Sequence, residues 1–158
     1  MIIKGFTNAN NTEYYVFAFL YSSHINLIPL KFVIDTGCTI TALGLRDAFQ
    51  LGFITFTEYP EKTEMDIDNK KELKKIDANI NTANGIIDSL VIPDVALTFL
   101  NFPNSLHSDL INKILIPLPK LYKSNFQLSV NNSSNILGLD VLKRYKIQFT
   151  EDAVYLEK

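Results

Sequence analysis

The 158-residue chain has little of what usually staples or wires a small protein together. There is one cysteine, Cys38, and there are two histidines, His24 and His107, far apart in the sequence. A single thiol excludes an intrachain disulfide framework and fits a reducing compartment. One cysteine and two separated histidines supply no ligand set for structural zinc, and no cofactor is expected. Long hydrophobic runs are missing too: "YYVFAFLY" is among the longest and falls far short of the ~20 residues of a membrane span. The opening "MIIKGFTNAN" lacks the basic start and apolar centre of a secretory leader. The formal net charge is −2, which leaves no nucleic-acid footprint. Basic residues gather in "NKKELKK" (69–75), but Glu72, Asp68 and Asp77 accompany them, as on a solvated face. Internal repeats, low-complexity tracts and Pro/Ser-rich linkers are absent. These absences predict one cytoplasmic domain over 1–158, and 47% hydrophobic residues suffice for one core.

What is present is mostly β signal. "MIIKGF" and "EYYVFAFLY" flank an Asn-rich turn, "TNANNT". Tyr14, Tyr15 and Phe17 alternate as on a core strand. "LIPLKFVI" (27–34) reads as a buried strand. "LGLRDAFQLGF" then changes to helical spacing, which predicts a short helix over 44–51 stopped by Gly52. A strand is expected in "FITFTEY". "KKIDANINTANGIIDSLVIPDVALTFL" reads as a long hairpin turning at Asn84-Gly85, where both residues accept positive φ; Pro93 marks an edge or bend. Leu106, Leu110, Ile111 and Ile114 fall on one stripe and predict an amphipathic helix over 104–115. A short buried strand, a glycine, a brief helix and a hairpin across "TEDA" complete the chain. The class is mostly β, with two or three short helices.

One stretch, "VIDTGCTIT" (33–41), carries candidate chemistry. Asp35 ends an apolar strand, so its carboxylate heads inward, which costs free energy unless hydrogen bonds offset it. Either Asp35 caps a turn, for which Asp-Thr-Gly is good turn chemistry, or it is held there to react. Gly37 lets the backbone approach another group closely. Two such loops meeting would place two carboxylates together, where they cannot both ionise easily and titrate as a unit. One then activates water as the other donates a proton.

At this point the sequence resembles the retropepsin-like aspartic proteases. "FVIDTGCTITAL" (32–43) is similar to their Asp-Thr-Gly segment, "NTANGIIDSLVIPDVAL" to their flap hairpin, and "NILGLDVLKRYKI" (135–147) to their apolar-apolar-Gly strand and following helix. The resemblance covers 1–100 and 134–158 and leaves 101–133 as an insertion relative to the minimal retroviral enzymes. It implies a closed or partly open β-barrel of the acid-protease type. It implies that Asp35 is catalytic, Thr36 bonds across a dimer, Gly37 admits substrate, Thr39 lines the pocket and Thr41 braces the loop. Ala83, Asn84 and Gly85 would lie at or near the flap turn, and Ile136, Leu137 and Gly138 would pack beside the active-site loop. Cys38 takes a small-residue packing position.

No second Asp-Thr/Ser-Gly exists in the chain. Asp94, Asp109 and Asp140 all lack the following Thr-Gly, and the place of Asp140 after Gly138 favours a capping or structural bond. His24 and His107 are expected at the surface. The mechanism therefore calls for a C2 homodimer in which Asp35 meets its copy, with an extended peptide or protein as substrate and neither nucleic acid nor membrane as partner. The alternatives are a catalytically inactive dimerisation or peptide-binding module on the same scaffold, and an unrelated β-barrel ligand carrier.

Overall fold

A computed structural model of the chain describes residues 1–82 and 85–158, with side chains 79–85 outside the description. In chain order the strands and helices are β1 (Ile2–Lys4), β2 (Phe6–Thr7), β3 (Tyr14–Ser22), β4 (Ile25–Ile34), α1 (Leu45–Gln50), β5 (Ile54–Glu58), β6 (Glu64–Asn69), β7 (Lys74–Thr82), β8 (Gly85–Phe102), β9 (Ser105–Pro117), β10 (Leu121–Tyr122), a 3-10 turn (Lys123–Asn125), α2 (Phe126–Asn131), β11 (Asn135–Leu137), α3 (Leu139–Leu142), β12 (Lys146–Phe149) and β13 (Val154–Glu157).

The long strand β8 is the spine of a sheet that has ten strands among the described residues. One edge of β8 pairs with β9 from Ser89 to Asn101. The other edge is shared in succession by β7, β3 and β1. Between the β7 and β3 stretches lie Pro93, which cannot donate to a ladder, and Asp94, whose φ is 49°. A strand that changes neighbours along its length must bend, and the sheet curls into a half-barrel. A smaller sheet, β10–β6–β5, lies beside it.

The core holds Leu20, Phe32, Phe53, Ile92, Leu97 and Phe99, each fully buried. Burying a side chain of this size contributes about 1.5–3 kcal/mol. The fold is thus mostly β, with three short α-helices among the described residues. The helix foreseen at 44–51 forms as α1, and the hairpin across "TEDA" forms between β12 and β13.

Two local expectations are corrected. Residues 104–115 are not a helix but most of β9. The inward side of β9 carries His107 and Asp109 and its outward side Leu106 and Leu110, so the strand's alternation is inverted and the sequence mimics a helical stripe. Backbone pairing along β8 overrides that periodicity. In β3 the core positions are Val16, Ala18 and Leu20, whereas Phe17 is exposed on the other face. The helix nearest that segment in the sequence is instead α2, packed near α1 and β10.

Candidate active site

Strand β4 runs through the sheet with β3 antiparallel on one side and β11 parallel on the other, Phe32, Val33 and Ile34 facing Asn135, Ile136 and Leu137. Asp35 is the next residue, and its N–H donates to the Leu137 carbonyl at 3.2 Å. The chain then turns sharply, and the Cys38 N–H donates to the Asp35 carbonyl at 3.2 Å. The carboxylate of Asp35 is engaged at both oxygens. Oδ1 accepts the Gly37 N–H at 2.8 Å, and Oδ2 accepts the Cys38 thiol at 3.2 Å. Asp35 itself is half-buried, while Thr36, Gly37 and Thr39 are exposed.

Cys38 is buried, in keeping with packing, yet it also touches the carboxylate. Burial first, then the bond to Asp35 and its charge, push the thiol up to about 11. It therefore stays protonated near neutral pH and remains a donor. Sequence reasoning missed that second part. The signal was the Asp-x-x-Cys spacing across a tight turn.

Beyond Cys38 the loop threads between two strands. Ala42 exchanges hydrogen bonds with Ile136 at 2.8–2.9 Å, and the Leu43 N–H donates to the Leu115 carbonyl at 2.8 Å. Thr41 is fully buried: its N–H and hydroxyl both donate to Asp140 Oδ1, at 3.0 and 2.7 Å, and its hydroxyl oxygen accepts the Gly138 N–H at 3.1 Å. Asp140 also accepts the Val141 N–H at 3.0 Å. Its carboxylate is spent on holding the loop to α3, the structural bond expected for it. At Gly138 a Cβ would lie 2.6 Å from the Ile40 carbonyl carbon, so only glycine lets the two backbones approach. Ile136 is half-buried and Leu137 fully buried against this crossing.

Asn135, overlooked in the sequence, ties the neighbouring parts together. Its Oδ1 accepts the Gly44 N–H at 2.8 Å, and its Nδ2 donates to the Lys31 carbonyl at 3.0 Å and to Asp47 at 2.5 Å. An asparagine inside a buried strand must find such partners, and that requirement was the available clue.

The β7–β8 hairpin reaches the same place. Ile76, Ala78 and Val91 pack with Leu115 and with Ile40 of the Asp35 loop. β9 ends opposite Ser89, so the hairpin continues beyond it through Asn79 opposite Ile86 and Thr82 opposite Gly85. Ala83 and Asn84 lie outside the described residues. Asp77 and Asp88 face each other across the hairpin, and Lys75 lies 2.8 Å from Asp88. A hydrogen bond and repulsion from Asp88 raise Asp77, whereas the bond from Lys75 leads in lowering Asp88.

A second polar cluster lies in the core. Asp109, almost wholly buried, accepts from the Tyr145 hydroxyl and from Lys158 Nζ at 2.9 Å, lies 3.3 Å from His107 Nε2, and forms an ion pair with Arg144 at 3.5 Å. His107 is therefore half-buried in this cluster rather than at the surface; His24 is exposed as expected. Burial opposes ionisation of Asp109, but the bonds from Tyr145 and Lys158 and the lysine charge outweigh it and hold the carboxyl below its ordinary range. Burial and Asp109 together raise Tyr145.

Among the described residues no group of three or more His, Cys, Asp or Glu could hold a metal ion, and no helix is long and apolar enough to cross a membrane. No protein-family model and no curated protein sequence matches the chain. Among solved structures it is similar to a retropepsin-like aspartic protease from Rickettsia conorii, with a TM-score of 0.53 and 21% identity over 99% of this chain and 90% of that one. A likeness at this identity shows the fold.

Proposed function

We propose that the chain is an aspartic endopeptidase that works as a homodimer, with Asp35 of each copy forming the catalytic pair. The observation that carries this reading is the setting of Asp35. It leaves a central strand, is half-buried, and receives neutral donors at both carboxylate oxygens on a loop braced by Thr41, Gly138 and Asp140. Such a loop fixes the carboxylate in place, and among the described residues no cation pairs with it.

In the dimer the two carboxylates hold one proton between them. The ionised member takes a proton from a water as it attacks the peptide carbonyl. The protonated member donates to the carbonyl oxygen, giving a neutral tetrahedral intermediate. Collapse of that intermediate returns a proton to the leaving nitrogen and breaks the C–N bond. Thr36, exposed at the loop tip, would bond across the twofold axis, and Gly37 would let substrate approach. Thr39 would line the pocket. The β7–β8 hairpin, seated on Ile40, would close over an extended peptide through residues 83–85 and bind its main chain.

The test is turnover of a peptide library by the wild type and by Asp35→Asn. Loss of cleavage in the variant, with binding of a statine-type inhibitor by the wild type, supports the proposal. Equal turnover by both forms ends it. A dimer that neither cleaves nor binds the inhibitor instead favours an inactive dimerisation or peptide-binding module.

A further inference from the structure

The outward face of the sheet formed by β4, β3, β8 and β9 is apolar, although it belongs to neither the core nor the Asp35 site. Reading across the strands, one row runs from Lys31 to Phe17 and on to Leu100 and Leu106. The next runs Pro29, Phe19, Thr98 and Ser108, and the third Tyr21, Ala96 and Leu110. Phe17, Leu100, Phe102, Leu106 and Leu110 are each 53–74% exposed. At about 100 Å² open per large side chain, this face presents apolar surface on the order of 800 Å² when its aromatic and Leu27 borders are included. That exceeds the ~300–600 Å² of the largest patch on a typical monomer and equals the ~800 Å² per partner of a standard interface.

The arrangement also suggests what covers it. Apart from Lys31 at its end the first row is apolar, and the third ends on Leu110, whereas the middle carries Thr98 and Ser108, hydrogen-bonded to each other at 2.7 Å. A groove of about 320 Å³ opens at the first-row end between Phe6, Phe17, Leu100 and Phe102. At the opposite end Leu110 protrudes at 74% exposure. A twofold axis through the Thr98–Ser108 row would bring the projecting end of one copy onto the grooved end of the other, the self-complementary pattern of an isologous contact. Charge does not oppose it: of the three rows only Lys31 is charged, and it is held by Glu13 at 3.7 Å and the Tyr15 ring at 4.2 Å. With Lys4 as the other lysine beside the groove, the basic cluster of about four to eight residues that holds an anionic membrane is missing.

We infer that this sheet face is an interface between two copies of the chain, distinct from the contact that would join the Asp35 loops. With both contacts in place and their twofold axes crossing at right angles, the assembly closes at four copies; with this one alone it has two.

The test is the mass of the purified chain by sedimentation velocity at micromolar concentration. Leu106→Asp/Leu110→Asp puts four carboxylates into the contact. It is expected to lower the mass by one step and weaken association at least ~100-fold, with unchanged circular dichroism. If that variant loses its fold, Leu110→Ser repeats the measurement. Ser108→Cys is expected to give a disulfide-linked pair after mild oxidation, since the native Cys38 is buried. Four copies falling to two keeps both contacts. Two falling to one keeps the sheet face and removes the Asp35 pairing. An unchanged mass in the surface variants together with an unlinked Ser108→Cys chain overturns the inference. So does binding to phosphatidylcholine vesicles by a wild type that sediments as a single chain.

Discussion

Asp35 and Asp109 are two carboxylates drawn into the same half-barrel, and they are treated in opposite ways. Asp109 is almost wholly buried and surrounded by a tyrosine hydroxyl, a lysine, an arginine and a histidine. Asp35 is half-buried and, among the described residues, receives only a backbone N–H and a thiol at its carboxylate, both from within three residues. None of the ion pairs among the described residues involves it. The difference separates a charge consumed by folding from one that, under the proposed function, is kept for use. Asp109 has its compensation within its own chain, joining β9 to the turn after α3 and to the end of β13. Asp35 is positioned but paired with no cation among the described residues, which is the state the proposed sharing of a proton with a second copy requires.

The comparison breaks most sharply at Asp35. Asp35→Asn should lower peptide turnover at least ~10³-fold while leaving the thermal midpoint nearly unchanged, because the amide still accepts from Gly37. Asp109→Asn should do the reverse, costing about 2–3 kcal/mol in urea unfolding by breaking a buried charged cluster. Because Asp109 is held low in the fold, its stabilisation is full above the ordinary carboxylate value of ~3.9 and fades as pH falls through its lower folded value. The gap between wild type and Asp109→Asn should therefore be complete at neutral pH and close in acid.

Tyr145→Phe removes one neutral donor to Asp109 and should cost about 1–2 kcal/mol without altering turnover. The smallest effect concerns Cys38. With its thiol pushed up to about 11, alkylation near pH 8 should be on the order of 100-fold slower than for an exposed thiol. Fast labelling of the folded chain would mean that the thiol is not engaged with Asp35.

The two aspartates also differ in how visible they were. Asp35 stood out because its setting is local: an apolar strand, an acid, a tight turn and a small residue, all within ten positions. Asp140 was read correctly as structural for the same reason, since it follows Gly138 at the start of a helix. Asp109 was illegible because two of its partners lie 36 and 49 residues further along the chain. Its own segment, with leucines outward and polar residues inward, imitated a helix. Asn135 was hidden in the same way: its bonds to Gly44 and Asp47 cross about 90 residues of chain.

The sequence by itself determined most of the longer strands, the turn at Asp35, the helix before Gly52 and the mostly β class, because these follow from periodicity and backbone freedom over a few residues. Only the tertiary structure decided that 105–117 is a strand, which face of β3 enters the core, and which aspartate is neutralised by distant cations. Pairing along β8 and burial of charge are both settled by what lies across the sheet, and neighbours brought together from far along the chain leave no mark on local sequence.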